Sequence, residues 1–174
     1  HVVTIFRDAG ATNVTWIWSP NVVGYTVRDP LAYYPGNDWV DWVGMDGYND
    51  GRPWITFTQT FSATYARLVG LGKPMLVAET ASTEGASTAA KADWIRAIAP
   101  AVQSMPAIKA VIWFDLNRPR GVWRLDNSAP AAAAFADLLT KQPNPSCPPR
   151  QWTTSCYEAR SAVTTDGNIN APSR

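Results

Sequence analysis

Histidine is all but missing from this sequence: His1 is the sole example. Cysteine is confined to Cys147 and Cys156 in "CPPRQWTTSC", where no histidine or further cysteine is near enough to complete a metal site. No metal and no cofactor are therefore expected. The two thiols fit a disulfide closing a small loop in an oxidising compartment, with free thiols as the alternative. Charge is scarce as well, at 17% of residues with a net +1, so bulk electrostatics recruits neither nucleic acid nor an anionic membrane. There is no basic run interleaved with aromatics, and no apolar stretch approaches the roughly 20 residues of a membrane span. Neither nucleic acid nor membrane is expected as a partner. No glycine-rich phosphate loop follows the first apolar strand, which counts against a nucleotide-binding sheet. The opening segment also lacks a capping residue, from which a chain cut out of something longer is expected.

Aromatic side chains are abundant: nine Trp and six Tyr in 174 residues, with 46% hydrophobic content overall. That composition gives a single domain enough material for a core, and flat rings suit the apolar faces of sugars. Apolar residues at 2, 5, 6 and 9, closed by Gly10, predict a first helix. Val14 to Trp18 reads as a strand, followed by a long irregular stretch with turn signals at Pro30 and Pro35-Gly36. A second strand is predicted around Val40 to Met45, then a polar loop. Phe57, Phe61, Tyr65 and Leu68 recur at helical spacing, and Gly70 and Gly72 stop that helix. "KPMLVAET" is the third strand, residues 88 to 104 the next helix, and "AIKAVIWFD" the fourth strand. An alanine-rich helix from Pro130 to about Thr140 follows. Beyond about 142 the composition turns to Pro, Ser, Thr, Asn and Gly, a low-complexity tail or linker. The organisation is thus one α/β unit over residues 1–141 and a tail over 142–174.

Strands that are continuous apolar runs, alternating with helices, predict a parallel sheet covered on both faces. An open doubly wound sheet and a run of β/α units from a (β/α)₈ barrel both fit. Polar and aromatic residues gather just beyond the strands: Ser19 and Asn21, Asp46 and Tyr48, Glu79, Trp113 and Asp115. In a barrel these positions share the rim where active sites lie.

Glu79, at the tip of an apolar strand, is the leading candidate for chemistry. Glycoside hydrolysis uses two carboxyl groups across the scissile bond, roughly 5–5.5 Å apart when configuration is retained. Glu79 suits either role, or else caps a helix or bridges to an arginine. Tyr48 is placed to donate to its carboxylate from the adjacent strand, and Trp113 to floor a sugar subsite. Asp46 and Asp115 end the strands on either side and suit sugar hydroxyls, but an Asp is a short arm for a proton donor. Glu84 is expected to be solvated, and Asp41 to make an inter-element contact.

Together "TNVTWIWSPN", "YYPGNDWVDWVGMDGYN", "KPMLVAETAS" and "AVIWFD" resemble glycoside hydrolase family 26 in order and spacing. The resemblance implies a (β/α)₈ barrel, here a partial TIM barrel of strands five to eight with their helices. It implies Glu79 as catalytic nucleophile, Tyr48 as the tyrosine that bonds it, Trp113 beneath the reacting sugar and Asn21 near the cleft. The family's acid/base glutamate follows a histidine on strand four, and no such motif occurs here. The expected protein is then a secreted, retaining β-mannanase-like hydrolase of plant cell-wall polysaccharide. Its missing partner is the N-terminal half of the same barrel, without which this segment would be inactive and prone to associate. The alternatives are a non-catalytic carbohydrate-binding or structural half barrel, and the same fold acting on β-glucan or xylan.

Overall fold

The computed structural model describes residues 1–24, 27–119 and 121–140. Cys147, Cys156 and the tail from 142 lie outside the described residues. Four strands form one sheet: β1 (Ile17–Trp18), β2 (Trp42–Asn49), β3 (Met75–Ser82) and β4 (Ile108–Trp113). They lie side by side in sequence order and every pairing is parallel. Parallel neighbours need crossover connections. These are α2 (Phe57–Leu68) between β2 and β3, and the pair α3 (Ala90–Arg96) and α4 (Ile98–Ser104) between β3 and β4. Helix α5 (Ala129–Thr140) follows β4, and α1 (Val2–Asp8) precedes β1. Among the described residues, no helix is long and apolar enough to cross a membrane.

The core lies between one face of the sheet and the helices. Val43, Met45, Met75 and Val77 project from the strands onto Phe57 and Phe61 of α2, all six with no exposed surface. Helix α2 is started by a capping box in which the Thr56 hydroxyl accepts from Gln59 N and the Gln59 side chain accepts from Thr56 N. Two of the helix's orphan donors are thereby satisfied. Gly72 ends the turn after α2 at φ 69°, a conformation that costs other residues more. Gly47 is where β2 lies against α2: a Cβ there would meet Thr60 and Phe61 at 2.8 and 3.0 Å.

The expected elements are present, with four differences. The second strand does not yield to a polar loop after Met45 but runs on to Asn49, because Gly47 and Tyr48 remain paired with Thr80 and Ala81. The predicted single helix over 88–104 is two helices broken at Ala97. Pro100 lacks the N–H that would have bonded Arg96, and its ring crowds that carbonyl. Strand β1 is only two residues long, since the Trp16 N–H is taken by the Asp41 carboxylate at 2.7 Å. Finally, the sheet is not covered on both faces by the described residues: Ile17 and Ile112, on the face away from the helices, are 49% and 50% exposed.

Removing the Phe61 ring from this packing, as Phe61→Ala, is expected to cost about 3–5 kcal/mol. Thr56→Ala, which removes the cap, should cost only about 1 kcal/mol. Urea unfolding of the two variants beside the parent checks both the order and the size.

Candidate active site

Strict alternation along β3 would send Glu79 to the same face as Met75 and Val77, into the core. An irregularity in the ladder prevents this. Met45 pairs with Val77, but the next residue of β2, Asp46, pairs with Glu79, so β3 spends one extra residue there. The pairing with β4 shows the same surplus, with Val77 opposite Val111 and Thr80 opposite Trp113. A bulge of this kind re-aims the side chains beyond it. Glu79 is thereby turned to the open face and exposed, while Thr80 takes the core-facing position with no exposed surface.

On that face Glu79 meets the residues its register supplies. Tyr48, two positions beyond Asp46, donates its phenol hydrogen to Glu79 Oε2. The Tyr48 phenol is pushed well above its ordinary pKa, first by burial, then by the bond to Glu79 and the charges of Glu79 and Asp46. It therefore stays protonated and serves as a permanent donor. Asp46 is also raised, mainly by burial, with the Glu79 charge adding and a hydrogen bond from Ser19 opposing. That bond, Ser19 Oγ to Asp46 Oδ1 at 2.8 Å, is possible because Gly44 leaves room: a Cβ on Gly44 would lie 2.4 Å from Ser19 Oγ.

Tyr48 is itself boxed by two rings. Trp123 stacks on it, with centroids 4.6 Å apart and planes 18° from parallel, and Phe114 meets it edge-on at 5.8 Å. Neither Trp123 nor Phe114 was expected from the sequence. The signal was available in "IWFD", where adjacent aromatics must face opposite sides of a strand. The residue taken for the cleft, Trp113, is on the other side. It is 8% exposed, packs against Trp94 of α3 and Phe135 of α5, and donates its indole N–H to Trp123 O at 2.9 Å. Trp113 is thus a core residue of the helix face and not the floor of a subsite with Glu79.

The other expected residues separate similarly. Asn21 is exposed and forms an isolated bridge with Asp46, prolonging the β1–β2 pairing toward the rim. Asp115 is exposed, and its Oδ1 accepts from Leu125 N at 2.7 Å, so it fastens the loop after β4. Glu84, expected to be solvated, pairs with Lys91 Nζ at 3.0 Å. Among the described residues, no group of three or more His, Cys, Asp or Glu is placed to hold a metal ion. The loops after β2, β3 and β4 enclose an open cavity of about 520 Å³ lined by residues that include Trp54, Glu84 and Arg118, but not Glu79.

An acid on a re-aimed strand, held by a tyrosine from the neighbouring strand, lies within a segment that matches a known family. The profile of Glycosyl hydrolase family 26 matches residues 2–118. The chain belongs to glycosyl hydrolase family 26. Endoglucanase H of Acetivibrio thermocellus is 36% identical over 148 residues, which are 80% of this chain and 16% of that protein. Mannan endo-1,4-beta-mannosidase A and B of Caldalkalibacillus mannanilyticus is 32% identical over 122 residues, 67% of this chain and 21% of that protein. Among solved structures, the family 26 β-mannanase BoMan26A of Bacteroides ovatus superposes with a TM-score of 0.59 at 18% identity. That superposition covers 80% of this chain and 40% of the other. The fold of this family 26 chain is thus that of its mannanase relative over the shared part. The chain spans less than a quarter of the length of the two sequence relatives.

The raised pKa of Asp46 has a stability consequence. A carboxyl that holds its proton more tightly when folded contributes stability below its unfolded pKa of about 4, and loses it as pH rises through the folded value. Asp46→Asn keeps an oxygen to accept from Ser19 and cannot ionise. Its melting temperature should gain on the parent's as pH rises from 3 to 7; an unchanging gap contradicts the assignment.

Proposed function

We propose that this chain carries the nucleophile side of a retaining glycoside hydrolase site, with Glu79 as the nucleophile. The observation that carries the reading is the Tyr48 hydrogen bond to Glu79 Oε2 on the bulged strand. A phenol donor fixes the carboxylate's orientation and leaves Oε1 free to attack. Glu79 forms a bond to the anomeric carbon as the glycosidic oxygen leaves with a proton from a second carboxylic acid. The same group, now a base, takes a proton from water, whose oxygen displaces Glu79 and restores the anomeric configuration. Asp46 stands beside Glu79 rather than across the scissile bond, and its carboxylate is engaged by Ser19. We assign the proton donor to a part of the barrel outside the residues described.

In this reading the four strands are strands five to eight of a (β/α)₈ barrel, and the exposed Ile17 and Ile112 face its interior. The 40% share of the superposed mannanase and the uncovered face support it. The missing N-terminal half is the partner that closes the barrel, and the segment alone is inactive. The substrate is a β-1,4-linked plant cell-wall polysaccharide met by a secreted enzyme, with mannan favoured by the mannosidase and mannanase relatives. A β-glucan is the second reading, favoured by the endoglucanase that shares 36% identity.

In the full-length protein, Glu79→Ala is expected to lower turnover on the order of 10⁴-fold or more. Sodium azide should restore part of it by occupying the vacated space, giving a glycosyl azide of inverted configuration. Substantial hydrolysis by the unassisted variant overturns the nucleophile assignment. Reducing-sugar release from mannan, mixed-linkage glucan and xylan decides the substrate.

A further inference from the structure

Lys91 has no exposed surface, and it lies on α3, outside the cluster around Glu79. Its three ammonium donors are all used: Glu84 Oε1 at 3.0 Å, Val122 O at 3.1 Å and Arg124 O at 2.8 Å. Burying an ammonium is costly unless it is paired and fully bonded. Here the partners belong to two different loops, those following β3 and β4. The two carbonyls flank one residue, Trp123, whose ring stacks on Tyr48.

From this arrangement we infer that Lys91 is a positioning residue for the nucleophile, acting through the backbone around Trp123 and the face of the Tyr48 ring. The inference rests on the reading of Glu79 as nucleophile. Other contacts converge on the same backbone. Trp113 Nε1 donates to Trp123 O, and Val122 N donates to the Thr83 hydroxyl at 3.4 Å. The carbonyls of residues 122 and 124 are thus bonded from α3 and that of 123 from β4, so the main chain on both sides of the Trp123 ring is held. Gly121 completes the fit, since a Cβ there would lie 2.0 Å from Trp123 Nε1. Without the ammonium, the Val122 and Arg124 carbonyls lose their common anchor and the indole no longer backs Tyr48 rigidly. Small displacements of groups that orient a reacting atom reduce turnover more than binding.

The test is a double-mutant cycle of Lys91→Met and Trp123→Phe in the full-length protein. Dinitrophenyl β-mannobioside and β-cellobioside serve as probes, because their leaving group needs no protonation and turnover reports on the nucleophile. Lys91→Met should lower kcat roughly 10–100-fold with KM within about threefold. In the Trp123→Phe background the same substitution should lower kcat less than threefold, because the element it acts through is already altered. Glu84→Gln, at a side chain 36% exposed, carries the same test in milder form if Lys91→Met does not fold. An unchanged kcat in the folded single variant overturns the inference, as does a full additional loss in the double variant. Glu79→Ala, assayed alongside, separates the two claims: if it retains turnover the nucleophile reading fails, and if it alone is inactive only the role of Lys91 fails.

Discussion

One extra residue in β3 determines what this sheet presents. Without the register shift between Val77 and Glu79, the parallel ladder would deliver the carboxylate into a packed core of Val43, Met45 and Phe61. An ionised group there has no partner and a large desolvation cost. With the shift, the same strand keeps Met75 and Val77 inside, turns Glu79 outward, and seats Thr80 in the core position instead. The rest of the site follows from β2, which stays regular: Asp46 and Tyr48 arrive on the open face two residues apart, one beside Glu79 and one reaching its oxygen. An exposed carboxylate and a packed core are served by one strand because its phase changes once.

The surroundings of Glu79 are graded in polarity. Asp46 brings a second negative group close, which burial and proximity both resist, and a serine hydroxyl admitted by Gly44 opposes that strain. Tyr48 answers Glu79 directly, and the aromatic box behind Tyr48 keeps its ring from swinging. Behind the box lies a buried ammonium tied to backbone. The contacts run from acid to phenol to indole to main chain to Lys91, from an exposed carboxylate to an ammonium with no exposed surface. An exposed side chain is held in a fixed place this way, by partners packed behind it.

Much of this was readable beforehand, for reasons particular to each residue. The strands were visible as apolar runs and α2 as a 3.6-residue period, because burial on one side imposes both. Glu79 and Tyr48 stood out as polar endings of those runs, and the motifs around them pointed to the family that the profile match establishes. Phase was not readable. Trp113 and Phe114 are neighbours of similar character, and composition does not say which one faces the helices. The surplus residue in β3 leaves no local mark either, since Val77, Ala78 and Glu79 form an ordinary strand sequence. Trp123 and Lys91 were missed because their roles depend on loops meeting from distant parts of the chain. The break in the helix at Ala97 was legible in Pro100, but a strong apolar period on both sides obscured it.

Lysine placement carries a practical consequence for handling this molecule. Lys73 and Lys109 lie near the starts of β3 and β4, at the end of the sheet opposite Glu79, and their hydrogen bonds to the Asn37 and Pro106 carbonyls are exposed. Lys91, the lysine that belongs to the Glu79 end, is sealed from solvent. Among the lysines of the described residues, amine-reactive coupling is therefore directional: through Lys73 and Lys109 a support or dye attaches at the strand starts and leaves the carboxylate rim facing the solution.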